Sequence, residues 1–290
     1  YDDHLRARRC SPRTAYCQRR DLLAAQDALR GQVRGPTEVT LQHLRRYQLS
    51  LFRRKLAAST VARVTTHLRT FFRFLLLEGY VALSPADRLE QPRVPPRPPG
   101  EVLTPKEVEL LLRATRESKD PLLDRALLET LYCTGVRRAE LLALDVCDVD
   151  HQERTLFVRA GKGEKPRLLP IAPTGYAALA RYLELGRPAL ERAPTSALFL
   201  GVRGGRLSQV ALSRTLHELQ DRAGLLKNVT PHCLRRTCAT GLLKNGTNLR
   251  VIQTLLGHSD LTTTSVYLCL SPDEIREEVL LHHPRERFDA

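Results

Sequence analysis

The sequence holds 290 residues, enough for two domains whose cores need no disulfide staples. Its longest apolar stretches, such as Phe71 to Leu77, are broken by arginine and fall well short of the ~20 residues that cross a bilayer, so no membrane span is expected. Lys and Arg number 46 against 32 Asp and Glu, a net charge of +14.

That charge is uneven. Residues 1–99 carry 19 basic and 8 acidic residues, a surplus of 11, and residues 100–290 carry 27 and 24, a surplus of 3. The asymmetry points to a polyanion gripped mainly by the N-terminal third, although a proteome rich in arginine would also raise the count. The opening "YDDHLRARRC" has no apolar core for a signal peptide. With no methionine anywhere, the sequence is expected to begin downstream of the natural start. Seven cysteines lie scattered with no CxxC pair, an odd count that fits neither a disulfide framework nor a zinc site. Reduced thiols in a cytoplasm and no zinc are therefore expected.

The first part reads as helical. "TAYCQRRDLLAAQDALRG" and "TEVTLQHLRRYQLSLFRR" are amphipathic segments. From Thr60, the residues Val61, Val64, Leu68, Phe71, Phe72, Leu75 and Leu76 trace a buried helical face, stopped by Gly79 and followed by Pro85. Arg63, Arg69 and Arg73 fall off that face, either as solvated side chains or as phosphate contacts. "QPRVPPRPPGE" (91–101) holds five prolines, which fix φ and remove donors, so an extended linker is expected. The boundaries read from it are a domain over 1–92, a linker over 93–100 and a second domain over 101–290.

In the second part Thr104, Pro105 and Glu107 spell a capped helix start, and helices continue through Leu131. "TLFVRAGKGEKPRLLPI" sets two β-like runs around a glycine-lysine turn, a hairpin signal. Helices return near Tyr176. The fold class expected is mainly α with a small antiparallel β-sheet in the C-terminal domain.

Four segments carry candidate chemistry. In "YCTGVRRAELLAL" Gly135 interrupts one helix and Arg137 opens the next, its planar fork suited to phosphate. Glu140, one turn later, pairs with it; such arginines also occur as plain surface pairs. In "NVTPHCLRRTCATGLLKNG" Thr230 caps and Pro231 begins a helix, so His232 and Arg235 lie one turn apart near a helix N-terminus that favours anions. Lys162 and Lys165 are two of only seven lysines, both on the tight turn. Lysine gives up a proton where arginine cannot, so Lys162 is a candidate acid for a leaving oxygen, or else a turn residue touching phosphate. Finally "LLGHSDLTTTSVYLCL" brings His258 and Tyr267. A phenol with a pKa near ~10 attacks phosphate only beside cations and a proton acceptor; alone, Tyr267 would read as a half-buried core residue.

Together "TGVRRAEL", "GKGEKPRLLPI", "TPHCLRRTCATGLL" and "VIQTLLGHSDLTTTSVYL" resemble, in order, the motifs of the tyrosine site-specific recombinases, the phage integrases and Xer-type recombinases. The first part resembles that family's helical core-binding domain more loosely. The resemblance implies that Arg137, Arg235 and His258 bind the scissile phosphate, His232 helps take the tyrosine proton, Lys162 protonates the 5′-oxygen, and Tyr267 forms a 3′-phosphotyrosyl bond. It implies double-stranded DNA with specific recombination sites as partner, a two-domain clamp, and no metal or nucleotide. It further implies a dimer per site, a tetramer in synapsis and nucleoid association. Arg236 stands where the family often has histidine. The amphipathic tail "SPDEIREEVLLHH", a helix over 271–283, is expected to dock in a neighbouring protomer, with packing on its own chain the alternative. A type IB topoisomerase-like relaxase and a non-catalytic DNA-binding protein are the rival functions.

Overall fold

The computed structural model describes residues 1–7, 10–95, 100–159, 166–257 and 272–287. The chain divides into two compact units, 1–98 and 99–290.

The first unit is helical: α1 (Asp2–Ala7), α2 (Pro12–Leu29), α3 (Leu41–Arg53) and α4 (Ala58–Leu77). Ser11 caps α2, its hydroxyl accepting from Thr14 N–H at 3.1 Å, with Pro12 at the first helical position. Thr40 caps α3, accepting from His43 N–H, while His43 Nδ1 accepts from Thr40 N–H at 3.2 Å. Val61, Val64, Leu68, Phe72 and Leu75 of α4 are buried against Leu29, Leu44, Tyr47 and Leu51 of α2 and α3. Phe71 and Leu76, expected on the same face, lie at its edge and are only half-buried. The reason is geometric: a 3.6-residue period turns them away from the Val61–Leu68–Phe72 line.

The second unit begins with α5 (Pro105–Ala114). Thr104 and Glu107 form the expected reciprocal cap, Glu107 Oε2 accepting from Thr104 N–H at 2.7 Å. The central element is α6 (Pro121–Thr134), buried along nearly its whole length from Leu123 to Thr134. Its leucines, Ala126, Tyr132 and Cys133 cover most of its circumference, so the helix is enclosed on nearly every side. Against it pack α8 (Pro173–Arg181) and α11 (Pro231–Lys244), and α7 (Arg138–Ala143), α9 (Arg187–Leu190), α10 (Gln209–Arg222) and α12 (Leu249–Leu256) complete the helices of this part of the unit. The sheet is antiparallel in the order β1 (Val149–Asp150), β2 (Thr155–Val158), β3 (Arg167–Pro170). Leu156 and Val158 point into the core and Phe157 out, the period-2 alternation of a half-buried strand. The hairpin reading of β2 and β3 is borne out; β1 was missed, because a two-residue run has no period to detect. Helix α8 starts at Pro173, three residues before Tyr176.

In this single chain the tail takes the packing on its own unit that stood as the alternative to docking on a neighbour. In this chain α13 (Pro272–His282) and residues 283–287 fold onto their own unit. Val279 is fully buried in the core, and Asn245 donates to His282 O at 2.9 Å. His283 is buried edge-on against Tyr132, ring centroids 5.5 Å apart, and burial pushes its imidazole down to about 4, so it is neutral. The physical reason for cis packing lies on α6. Glu129 is wholly buried, and Arg125 Nε at 3.0 Å supplies one partner and Arg285 Nε at 3.1 Å another. An ionised carboxylate in that position needs such compensation.

Arg285→Ala should therefore destabilise the second unit by on the order of 3 kcal/mol, read as a lower thermal unfolding midpoint. Adding Glu129→Gln to Arg285→Ala should recover part of the loss, because the stranded charge is gone. An unchanged midpoint in the single variant would show that Arg125 alone compensates Glu129.

Candidate active site

Helix α6 ends at Gly135, which adopts φ 59°, a left-handed conformation that glycine takes without Cβ strain. The chain then runs extended through Arg137, the N-cap of α7. Arg137 donates its backbone N–H to Glu140 Oε2 at 2.8 Å and its Nη1 to Oε1 at 3.0 Å. The pairing expected from sequence is thus made twice, by main chain and side chain. Burial alone would raise the Glu140 pKa, but hydrogen bonds from Arg167 and Arg137 outweigh it and hold the carboxyl below its ordinary range.

Thr230 caps α11, accepting from Cys233 N–H at 3.1 Å, with Pro231 at the first position. That start points Arg235 inward, where it is 6% exposed. Its Nη1 donates to Gly135 O at 2.7 Å and its Nη2 to Leu256 O. Burial, and then the neighbouring Arg137 cation, lower the Arg235 pKa to about 10. Two guanidinium groups therefore crowd one pocket, still charged at neutral pH, and an anion placed between them would relieve the repulsion. His232 is exposed one turn away. Burial and the Arg236 and Arg235 cations lower its pKa below the ordinary value, so it is neutral and able to accept a proton near pH 7. Arg236 is also exposed, and its guanidinium lies against Gly100.

Helix α12 closes the pocket. It ends at Gly257, φ 62°, and its last carbonyls take three arginines. Arg167 Nε donates to Leu255 O at 2.9 Å, Arg235 donates to Leu256 O, and Arg137 Nη2 donates to Gly257 O at 2.6 Å. A helix C-terminus carries roughly half a negative charge, so cations belong there. A Cβ on Gly257 would stand 3.1 Å from the Arg167 guanidinium as well as in a left-handed conformation.

Arg167, at the start of β3, was not singled out from sequence. It is 10% exposed in its side chain and grips both oxygens of Glu140, at 2.9 and 2.8 Å. The signal that pointed to it was Glu140 itself: a carboxylate has about four acceptor positions, and Arg137 occupies only two. Arg137, Glu140, Arg235 and His232 are brought together with Arg167. Lys162, Lys165, His258 and Tyr267 lie outside the described residues, although their flanks, Val158, Arg167 and Gly257, border this pocket or its hairpin.

In the first unit the three arginines of α4 divide. Arg63 is drawn onto the buried carboxylate of Asp21, which His67 Nδ1 also contacts at 2.8 Å. Arg69 donates to Leu89 O. Arg73 remains exposed. Among the described residues no His, Cys, Asp and Glu cluster could hold a metal ion, and no helix is long and apolar enough to cross a membrane.

Residues 101–274 match the model of the phage integrase family, and residues 1–79 match that of the phage integrase N-terminal SAM-like domain. The chain is 39% identical over 253 residues to tyrosine recombinase XerC of Halalkalibacterium halodurans, covering 85% of this chain and 83% of that protein. It is 41% identical over 239 residues to tyrosine recombinase XerD of Mycobacterium tuberculosis, covering 80% of this chain and 76% of that protein. The fold is shared with lambda integrase residues 75–356, solved as a dimer bound to a COC′ core site, at 19% identity and TM-score 0.73 over 96% of this chain and 93% of that one. With the arginine pocket in place and two family models spanning the two units, the chain belongs to the phage integrase family, the tyrosine recombinases that cut and rejoin DNA at specific sites.

Proposed function

We propose that the pocket of Arg137 and Arg235 holds the scissile phosphodiester while Tyr267 attacks it. The observation that carries this reading is the pairing of two crowded guanidinium groups at the end of α12, one residue before His258. Charge accumulates on the non-bridging oxygens as the phosphorus becomes pentacovalent, and fixed cations already in position stabilise it without reorganisation. The phenol oxygen bonds to phosphorus, the bond to the 5′-oxygen breaks, and Lys162 supplies the proton that makes a 5′-hydroxyl. His232 accepts the phenol proton and His258 donates a hydrogen bond to the phosphate. The covalent 3′-phosphotyrosyl link conserves bond energy for rejoining, so the residues assigned need no nucleotide.

The partner in this reading is double-stranded DNA carrying a specific recombination site, bound by two protomers per site and four in synapsis, at the nucleoid. The surplus of 11 positive charges in residues 1–99 supports an electrostatic grip from the first unit, with Arg73 among its phosphate contacts and Lys165 adding one from the second unit. For the tail, the seat filled in cis by Val279, His283 and Arg285 is the seat a partner's identical tail would fill after exchange.

Tyr267→Phe removes one hydroxyl, so it should abolish the covalent protein–DNA adduct in denaturing gels while leaving DNA affinity little changed. An equal loss of binding would mark Tyr267 as structural. Lys162→Ala should slow cleavage by roughly 10²–10⁴-fold. A 5′-thio leaving group, which needs little protonation, should restore the rate; absence of rescue removes the acid role. The lowered His232 pKa sets the pH profile. Neutral imidazole is the working form, so the cleavage rate should stay level from pH 8 to 6.5 and fall only below the ordinary histidine value. His232→Asn should lack that acidic fall.

A further inference from the structure

Arg167 occupies a place in this pocket that the phosphate-binding roles leave unexplained. Its side chain is nearly enclosed, as that of Arg235 is. Each of its three nitrogens donates within the pocket: Nε to Leu255 O, Nη1 to Glu140 Oε1 and Nη2 to Glu140 Oε2. Arg137 meets the same two oxygens from the other side, through Nη1 and its backbone N–H. Glu140 is thus a carboxylate clamped between two arginines, both anchored at the end of α12: Arg167 on Leu255 O and Arg137 Nη2 on Gly257 O. The flat guanidinium also rests on Gly257, where a Cβ would come within 3.1 Å. Only a planar fork makes all three bonds at once; an ammonium group is a single point charge on a flexible stem.

We propose that Arg167 is a positioning residue for DNA cleavage, which sets the orientation of the Arg137 guanidinium through Glu140 and locks Glu140 to the α12 terminus. It rests on the reading of Arg137 as a phosphate ligand. Without Arg167, Glu140 keeps its two bonds to Arg137 but loses its tie to Leu255. The pair is then held to α12 by the single bond from Arg137 Nη2 to Gly257 O and can pivot about it, away from the anion position. Displacement of a reacting group by about 1 Å costs on the order of 10² in rate. The burden falls on the chemical step, because the charge removed is the one paired with Glu140, and Arg137 and Arg235 remain as phosphate ligands.

The test measures single-turnover cleavage and equilibrium binding on a nicked duplex carrying the site at which the wild-type protein forms its adduct. Arg167→Ala should lower the cleavage rate by about 10²-fold, with the dissociation constant for that duplex within about threefold of wild type. Arg167→Lys, which keeps a cation beside Glu140 and so guards against misfolding, should still cleave at least about tenfold slower. In a Glu140→Ala background, Arg167→Ala should add less than about threefold, because the residue it acts through is gone. Wild-type cleavage by folded Arg167→Lys, or a full further 10²-fold loss in the Glu140→Ala background, would overturn the assignment. So would recovery of Arg167→Ala by the 5′-thio substrate, which would move its action to the leaving-group proton. Absence of any adduct with the wild-type protein would instead sink the phosphate-transfer reading itself.

Discussion

Everything in the candidate site depends on how helix α12 ends. Three successive carbonyl oxygens, of Leu255, Leu256 and Gly257, lack partners within the helix, and each accepts from an arginine of a different segment. Arg167 comes from β3, Arg235 from α11 and Arg137 from the turn after α6. A helix terminus thereby gathers three parts of the chain that are far apart in sequence. It does so with groups that already carry the charge a phosphodiester needs.

The electrostatics follow from that gathering. Among the described residues, three guanidinium groups face one carboxylate, Glu140, and a helix end worth about half a negative charge. The pocket is left with net positive charge in partial burial, and the fall in the Arg235 pKa registers the strain. Such a site is held ready for an anion before the anion arrives, which is the condition for electrostatic stabilisation without reorganisation. Neutral His232 at its rim adds an acceptor rather than a fourth cation.

The same unit solves a second charge problem differently. Glu129 sits in the middle of α6 with no solvent, and Arg125 and Arg285 reach it from two directions. Because Arg285 belongs to the tail, the last turn of the chain is tied to the core helix. Any exchange of that tail between protomers must carry the guanidinium with it or leave Glu129 undercompensated. The seat thus asks for one particular side chain, which makes it specific as well as stable.

Much was legible in the sequence because it is local. Caps at Thr104 and Thr230, the helix stop at Gly135 and the α4 core stripe are decided within a few residues by hydrogen bonding, φ limits and helical period. The pairing of Arg137 with Glu140 is of the same kind, being one helical turn apart. What only the tertiary structure decided are contacts with no local signature. Arg167 reaching Glu140 spans 27 residues, Arg285 reaching Glu129 spans 156, and Arg63 reaching Asp21 spans 42. A guanidinium is long, and its charge is satisfied equally by solvent, phosphate or a buried carboxylate. Which of these it meets depends on what the folded chain puts within its reach.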